Sequence, residues 1–558
     1  MTSIKKWKWN RFAIIGAFLH WMFSFFTDQF IFQYIVWDLS SLKNTIKTMM
    51  TYGCKVIYLI ILILLWHGIF WFVKKANRKF VRYTCIYFVI NLLVLVLVWP
   101  GIWRMDEFGI LNAALKLQPN FWQNYLTSIF YIFSIMLIPI PTGVIIVQIA
   151  AISLIVGYLI FKIEDLKLVC GKYAVYCLFL PFLLFPVLDS NMYPIRMSLY
   201  AFLELLLLAE LFFQKKEMEH SPGNVLDKAV NKDIILHKNQ IMLFLLAGVV
   251  CVLRTEAIYY IVAFPVLFVL VYRTKYSKKM LAKSILLFLG ITILLYLPQK
   301  VGERFSSNQD YELTSVLLPI VPLVEAAAND VAKDATYNAK NEEILKDIDG
   351  VINVSLAITG AKEEKTGIQL FWSKRDEFVR SYSPEDFSFF KKAYYQLVLK
   401  YPGVFLKERW NTFYESVDLL ENTTELFEKK DVPNYETFQT YPGTKPWNQE
   451  IRNALIKLLE LRSAQDYTEK LSVNFYVYTP IFTICVLFFG ALGLLFCKKW
   501  KEALLLAVPL AKVPLIFLTA PSRLFMYYYS VYLIGSFFVG YLILHLLTNK
   551  RKQGGTGE

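Results

Sequence analysis

The residue types in this chain that could do chemistry are carboxylates and basic side chains. Asp106 and Glu107 stand together in Trp103-Arg104-Met105-Asp106-Glu107-Phe108, directly after an apolar run. A carboxylate beside a dry cavity could accept a hydroxyl proton as general base, provided it stays ionised or is tuned towards the working pH. The competing reading is a solvated loop acid, or a helix-start acid facing the amides of a helix over 107–118. From the residues alone the two readings stand level. Asp189, in Leu188-Asp189-Ser190-Asn191-Met192-Tyr193-Pro194, is expected on the next outer loop and could join them in one cavity. A turn or N-cap role is its alternative.

The basic set is Arg104, Arg196, Arg254, Lys512 and Arg523. All five are expected at or just inside the outer membrane boundary, where the inside-positive rule would not place them. Guanidinium forks and an ammonium suit a lipid phosphate at headgroup depth. Snorkelling and structural pairing, Arg254 with Glu256 for instance, are the alternatives. Other chemistries lack their residues. The five histidines (His20, His67, His220, His237, His545) all fall in spans or cytoplasmic pieces, so an exterior His-centred or zinc site is hard to build. No P-loop, HExxH or Cys/His metal spacing occurs.

Elements that must hold these residues follow from composition. Of 558 residues, 56% are hydrophobic and 18% charged, and mean hydropathy is +0.44. A soluble chain carries more charge, and here the apolar surplus comes in blocks of about 20 residues, the length that crosses a hydrocarbon core. The fold class is therefore an α-helical polytopic membrane protein. Twelve spans are read near 12–31, 55–73, 83–101, 143–161, 169–187, 194–213, 240–253, 257–272, 281–298, 476–496, 503–519 and 525–547. The net charge of +15 reads as a topology signal and not as a nucleic-acid patch. Clusters such as Lys74/Lys75/Arg78/Lys79/Arg82 and Lys498/Lys499/Lys501 fall on the cytoplasmic side, with both termini inside. The seven cysteines lie in or beside apolar spans, which excludes a disulfide-stapled exterior domain.

Three parts result. Residues 1–298 form an N-terminal membrane module of about nine spans with an exterior loop at 102–142, and 476–558 form a C-terminal module of three spans and a tail. Between them 299–475 is read as an α-rich exterior domain without a spanning segment; it holds 28 acidic and 22 basic residues. Pro384-Glu385-Asp386 is expected to start one of its helices, Pro402 to break it, and 448–461 to form another. The run 121–140, ending in Pro139 and Pro141, is read as interfacial or re-entrant. The short segments 240–253 and 257–272 are expected to meet below the outer surface at Leu253-Arg254-Thr255-Glu256. No 20–50-residue repeat is visible, which counts against repeat-built transporters.

This layout resembles the GT-C glycosyltransferases, multi-span enzymes that use polyprenyl-phosphate-linked sugars. The likeness rests on the acidic pair after a span in Trp103-Arg104-Met105-Asp106-Glu107, and on the hairpin at Leu253-Arg254-Thr255-Glu256-Ala257. It rests also on the exterior helices around Tyr401-Pro402-Gly403 and Phe405-Leu406-Lys407-Glu408-Arg409, and on Pro521-Ser522-Arg523 before the last span. It covers most of the chain as layout, through short, degenerate motifs. It implies that Asp106, or else Glu107, is the base that deprotonates the acceptor hydroxyl. Arg254 and Arg523, with Lys512 and Arg196, would hold the carrier phosphate. The implied partners are a polyprenyl-phosphate-linked sugar, membrane lipids and a cell-envelope glycan, teichoic acid or protein acceptor. No resident cofactor is implied; a divalent cation stays open. The chain departs from the family in placing its exterior domain before the last three spans, and in having two spans before the expected first. A polysaccharide polymerase or ligase, and a lipid or glycan transporter, are the rival classes.

Overall fold

The computed structural model describes residues 11–25, 42–103, 105–116, 118–121, 123–194, 196–220, 238–305, 311–333, 339–417, 435–459, 477 and 479–554. Among them the chain is helical, 83% of it, and has no strand. The N-terminal part runs α1 (Arg11–Ser24), α2 (Leu42–Lys75), α3 (Arg78–Leu97), α4 (Met105–Leu115), α5 (Tyr125–Leu137), α6 (Thr142–Asp165), α7 (Lys172–Cys177) and α8 (Phe185–Asn191). It continues with α9 (Arg196–His220), α10 (Lys238–Leu253), α11 (Tyr260–Tyr272) and α12 (Lys278–Phe305). The middle holds α13 (Tyr311–Lys333), α14 (Ala339–Asp349), α15 (Val354–Lys362), α16 (Gly367–Ser373), α17 (Arg375–Phe378), α18 (Pro384–Lys400), α19 (Pro402–Val417), α20 (Tyr435–Gln439) and α21 (Gln449–Leu459). Three helices close the chain: α22 (Ile481–Phe496), α23 (Trp500–Thr519) and α24 (Tyr529–Gly554).

Nine described helices are long and apolar enough to cross a membrane, or ten if the pair Tyr173–Leu183 and Phe185–Asn191, bent by 68°, makes one span. The described parts of the twelve apolar segments read from the sequence fall on helices, with 169–187 broken into short pieces, and α1, the apolar part of α10, and α22 are short. At about 1.5 Å per residue, the 16 residues of α22 reach only about 24 Å of a core about 30 Å thick. The run 121–140 yields just the 13 residues of α5, too few to cross alone.

Residues 299–475, read as having no spanning segment, contain Glu312–Lys333, which has the length and hydropathy of a span. Its packing accounts for that hydropathy. Leu313, Leu317, Ile320, Val321, Val324 and Ala327 of α13 are fully buried, and α14–α19 supply the rest of that core. So α13 spends its apolar surface as the central rod of a helical bundle. Gly367 lets α16 approach that rod, since a Cβ there would stand 2.2 Å from the Leu317 carbonyl oxygen. Within the bundle, Ser383 and Asp386 close a capping box at the start of α18, and α19 begins at Pro402.

The largest core joins α3, α6, α9–α12 and α22–α24. A second core lies where α4, α5, α8 and the end of α3 meet Phe438, Ile456 and Leu459 from the middle region. In the first core α3 and α6 touch at Gly157, where a Cβ would lie 2.2 Å from Thr84 Oγ1 and 2.7 Å from the Thr84 amide nitrogen. Small residues permit such close helix crossings in membranes. Gly157→Ala is therefore expected to force α3 and α6 apart and cost about 1–3 kcal/mol, read as a lower Tm in detergent; an unchanged Tm refutes the close contact.

Candidate functional site

The acidic pair occupies the first turn of α4, where carboxylates meet unsatisfied amides. Helix geometry separates their fates. Asp106 is exposed, while Glu107 is 1% exposed and lies within electrostatic reach of Tyr131 of α5. Asp106 Oδ2 accepts a hydrogen bond from Gln123 Nε2 at 2.8 Å. The carbonyl oxygen of the same Gln123 accepts from the Arg196 guanidinium at the start of α9. One glutamine thus joins the candidate base to a candidate phosphate ligand.

The turn that carries Gln123 is firmly held. Asn124 sits at φ 80° and ψ 132°, outside the left-handed helical well, and caps α5 by accepting from the Leu126 amide at 2.9 Å. Its amide donates to the Val252 carbonyl at 2.8 Å, the last turn of α10. Gln299 of α12 donates to the Phe121 carbonyl at 2.7 Å and accepts from the Tyr125 amide at 3.0 Å. Phe121, Gln123, Asn124 and Tyr125 therefore bind α4, α9, α10 and α12 at one point.

Beyond Val252 the chain breaks. Arg254 is extended and 3% exposed, and a 3-10 turn, Thr255–Tyr259, leads into α11. Its guanidinium donates to Glu256 and lies 5.6 Å above the Tyr527 ring. The pairing of Arg254 with Glu256, one of the alternatives open from sequence, is thus present. Lys512 and Arg196 also lie within electrostatic reach of Glu256.

Lys512 is otherwise engaged. Its ammonium donates to Glu204 at 2.6 Å, Tyr200 at 2.7 Å and Ser530 at 2.8 Å, which uses all three protons. Glu204 in turn accepts from Tyr260 at 2.9 Å and Tyr259 at 3.3 Å. Expected as a phosphate ligand, Lys512 is instead the centre of a fully bonded buried pair. Arg523 donates to Glu408 of α19 at 2.9 Å and so ties the middle region to the loop before α24. Asp189, 5% exposed on α8, lies within electrostatic reach of Tyr529 of α24, two residues from Asn191, which donates to Tyr87 and Asn91. That setting is a helix contact among α3, α8 and α24, whereas Asp106 belongs with Gln123 and Arg196. Arg104 lies outside the described residues.

The middle region covers the loop that bears Asp106. The Phe438 ring lies 5.0 Å from those of both Trp103 and Phe108, tilted against the first and edge-on to the second. Tyr441 donates to Asn112 at 3.1 Å, Trp99 donates to the Gly443 carbonyl at 2.7 Å, and Arg452 donates to the Gly101 carbonyl at 3.3 Å. Gln123, Tyr527 and this aromatic cover carry no motif; only proximity in the fold singles them out. Among the described residues no group of three His, Cys, Asp or Glu side chains is placed to hold a metal ion. Comparison with protein-family models, curated proteins and solved structures gave no match, so the geometry of this site stands on its own.

Proposed function

We propose that the chain is an integral membrane glycosyltransferase of GT-C-like layout, which moves a sugar from a polyprenyl-phosphate donor to an exterior cell-envelope acceptor. The observation that carries the proposal is the hydrogen-bonded line from Asp106 through Gln123 to Arg196. It sets an exposed carboxylate near a group of basic residues at the break between α10 and α11. The acceptor oxygen attacks the anomeric carbon, its proton passes to Asp106, and the bond from that carbon to the phosphate oxygen breaks with inversion. Arg254 and Arg196 stabilise the departing polyprenyl phosphate. Lys512 serves by holding Glu204, Tyr259 and Tyr260, and hence the turn that presents Arg254. In this reading the apolar segments make about twelve spans, both termini lie in the cytoplasm, and the middle region lies outside.

Mass spectrometry of envelope glycans from cells with and without the chain tests this function. Loss of one sugar substituent supports it. Shortened polymer with its substituents intact favours a polymerase or ligase, and an unchanged envelope favours a transporter. Within the proposal, Arg254→Ala is expected to raise the KM for the lipid-linked donor about tenfold or more, in keeping with one lost charged hydrogen bond to phosphate. A donor-titration series checks this; an unchanged KM removes Arg254 from the phosphate site. Arg523→Ala, which breaks the pair with Glu408, should weaken donor use less than Arg254→Ala.

A further inference from the structure

Helix α19 uses one face and leaves another bare. On the used face Arg409, 1% exposed, donates to the Ala520 carbonyl oxygen at 2.7 Å and lies 5.3 Å over Phe405. Phe413 stands 6.1 Å from Phe517 and 5.5 Å from Tyr528, ring to ring. Glu408 accepts from Arg523. These contacts pin α19 to the C-terminal end of α23, a helix of spanning length whose last turn still shows Leu518 at 46% exposure.

On the other face Leu406, Trp410 and Tyr414 follow one another at intervals of four, which lines them up in one stripe. They are 50%, 61% and 41% exposed, and Lys407 beside them is exposed too. Trp410 lies 6.0 Å from Phe413, so the stripe continues the aromatic contact made with α23 and α24.

We propose that this stripe rests in the headgroup layer of the leaflet reached by the C-terminal end of α23, so that α19 is an interfacial anchor for the bundle built on α13. Height is fixed by the contacts with α23. Composition fits that depth, because Trp and Tyr collect where an apolar ring meets water and headgroups. Leu406 adds apolar surface, and Lys407 can extend its ammonium to lipid phosphates. The proposal is independent of the transfer reaction, since it needs only α23 to span.

The test places a photoreactive residue, Trp410→p-benzoylphenylalanine, in the full chain reconstituted in vesicles of phosphatidylethanolamine and phosphatidylglycerol. The same replacement at Leu518 gives the lipid-facing reference. Mass spectrometry after illumination should find lipid adducts at position 410 at a level similar to that at 518. Adducts to polypeptide alone, which mean a protein covers the stripe, overturn the proposal. So does an absence of lipid adducts at 410 where 518 forms them.

Discussion

Asp106→Asn should abolish sugar transfer while leaving the protein folded. Removing a general base costs about 10²–10⁴-fold in turnover. The substitution is close to isosteric, and an asparagine oxygen can still accept from Gln123, so the turn at 121–125 and the line to Arg196 stay in place. Asp106 is exposed, which keeps the stability cost of losing its charge small. Turnover at saturating donor, measured beside Tm, separates the two effects. More than about a tenth of the wild-type rate would dismiss Asp106 as the base, because that loss lies far below what a lost base costs. Glu107→Gln gives the contrast. Glu107 is 1% exposed, so its replacement should lower Tm more than turnover.

Much of the architecture was legible because hydrophobic periodicity acts locally. Apolar blocks became helices, Pro384 and Pro402 punctuated them as expected, and the expected helix at 448–461 appears as α21 over Gln449–Leu459. Less legible is what an apolar block packs against. The run Glu312–Lys333 is as apolar as a span, yet its partners are α14–α19, and no local signal separates a lipid-facing helix from the rod of a bundle. Distance along the chain posed the same difficulty at the site, where 17 residues separate Asp106 from Gln123 and 73 separate Gln123 from Arg196. Asp106 and Arg196 were each visible as out-of-place charges, but Gln123, which bonds to both, is an ordinary glutamine in a polar turn. Arg254 and Glu256 are two residues apart, so their pairing was open to inspection. Lys512 and Glu204 were each visible as charges inside apolar runs; 308 residues separate them, and only the fold makes them a pair.

That pair supports the second large expectation. Lys512 and Glu204 are 1% and 0% exposed, and together with Tyr200, Tyr259, Tyr260 and Ser530 they leave neither charge short of partners. Taking away one member strands the other in a place with no water to solvate it. Glu204→Ala, or Lys512→Ala, is accordingly expected to cost about 3–5 kcal/mol, seen as a large fall in Tm in lipid nanodiscs. The double variant Glu204→Leu/Lys512→Met should regain most of that loss, because it removes both desolvated charges and keeps the volume. Glu204 is also the acceptor for Tyr259 and Tyr260, which form the end of the 3-10 turn after Arg254 and the start of α11. In the double variant those tyrosines lose their anchor while the helices stay packed, so donor KM should rise even where Tm recovers. A Tm that does not recover would mean that the polar bonds themselves, and not merely charge balance, hold α9, α23 and α24 together. A recovered Tm with an unchanged KM would show that Arg254 is positioned without help from the pair.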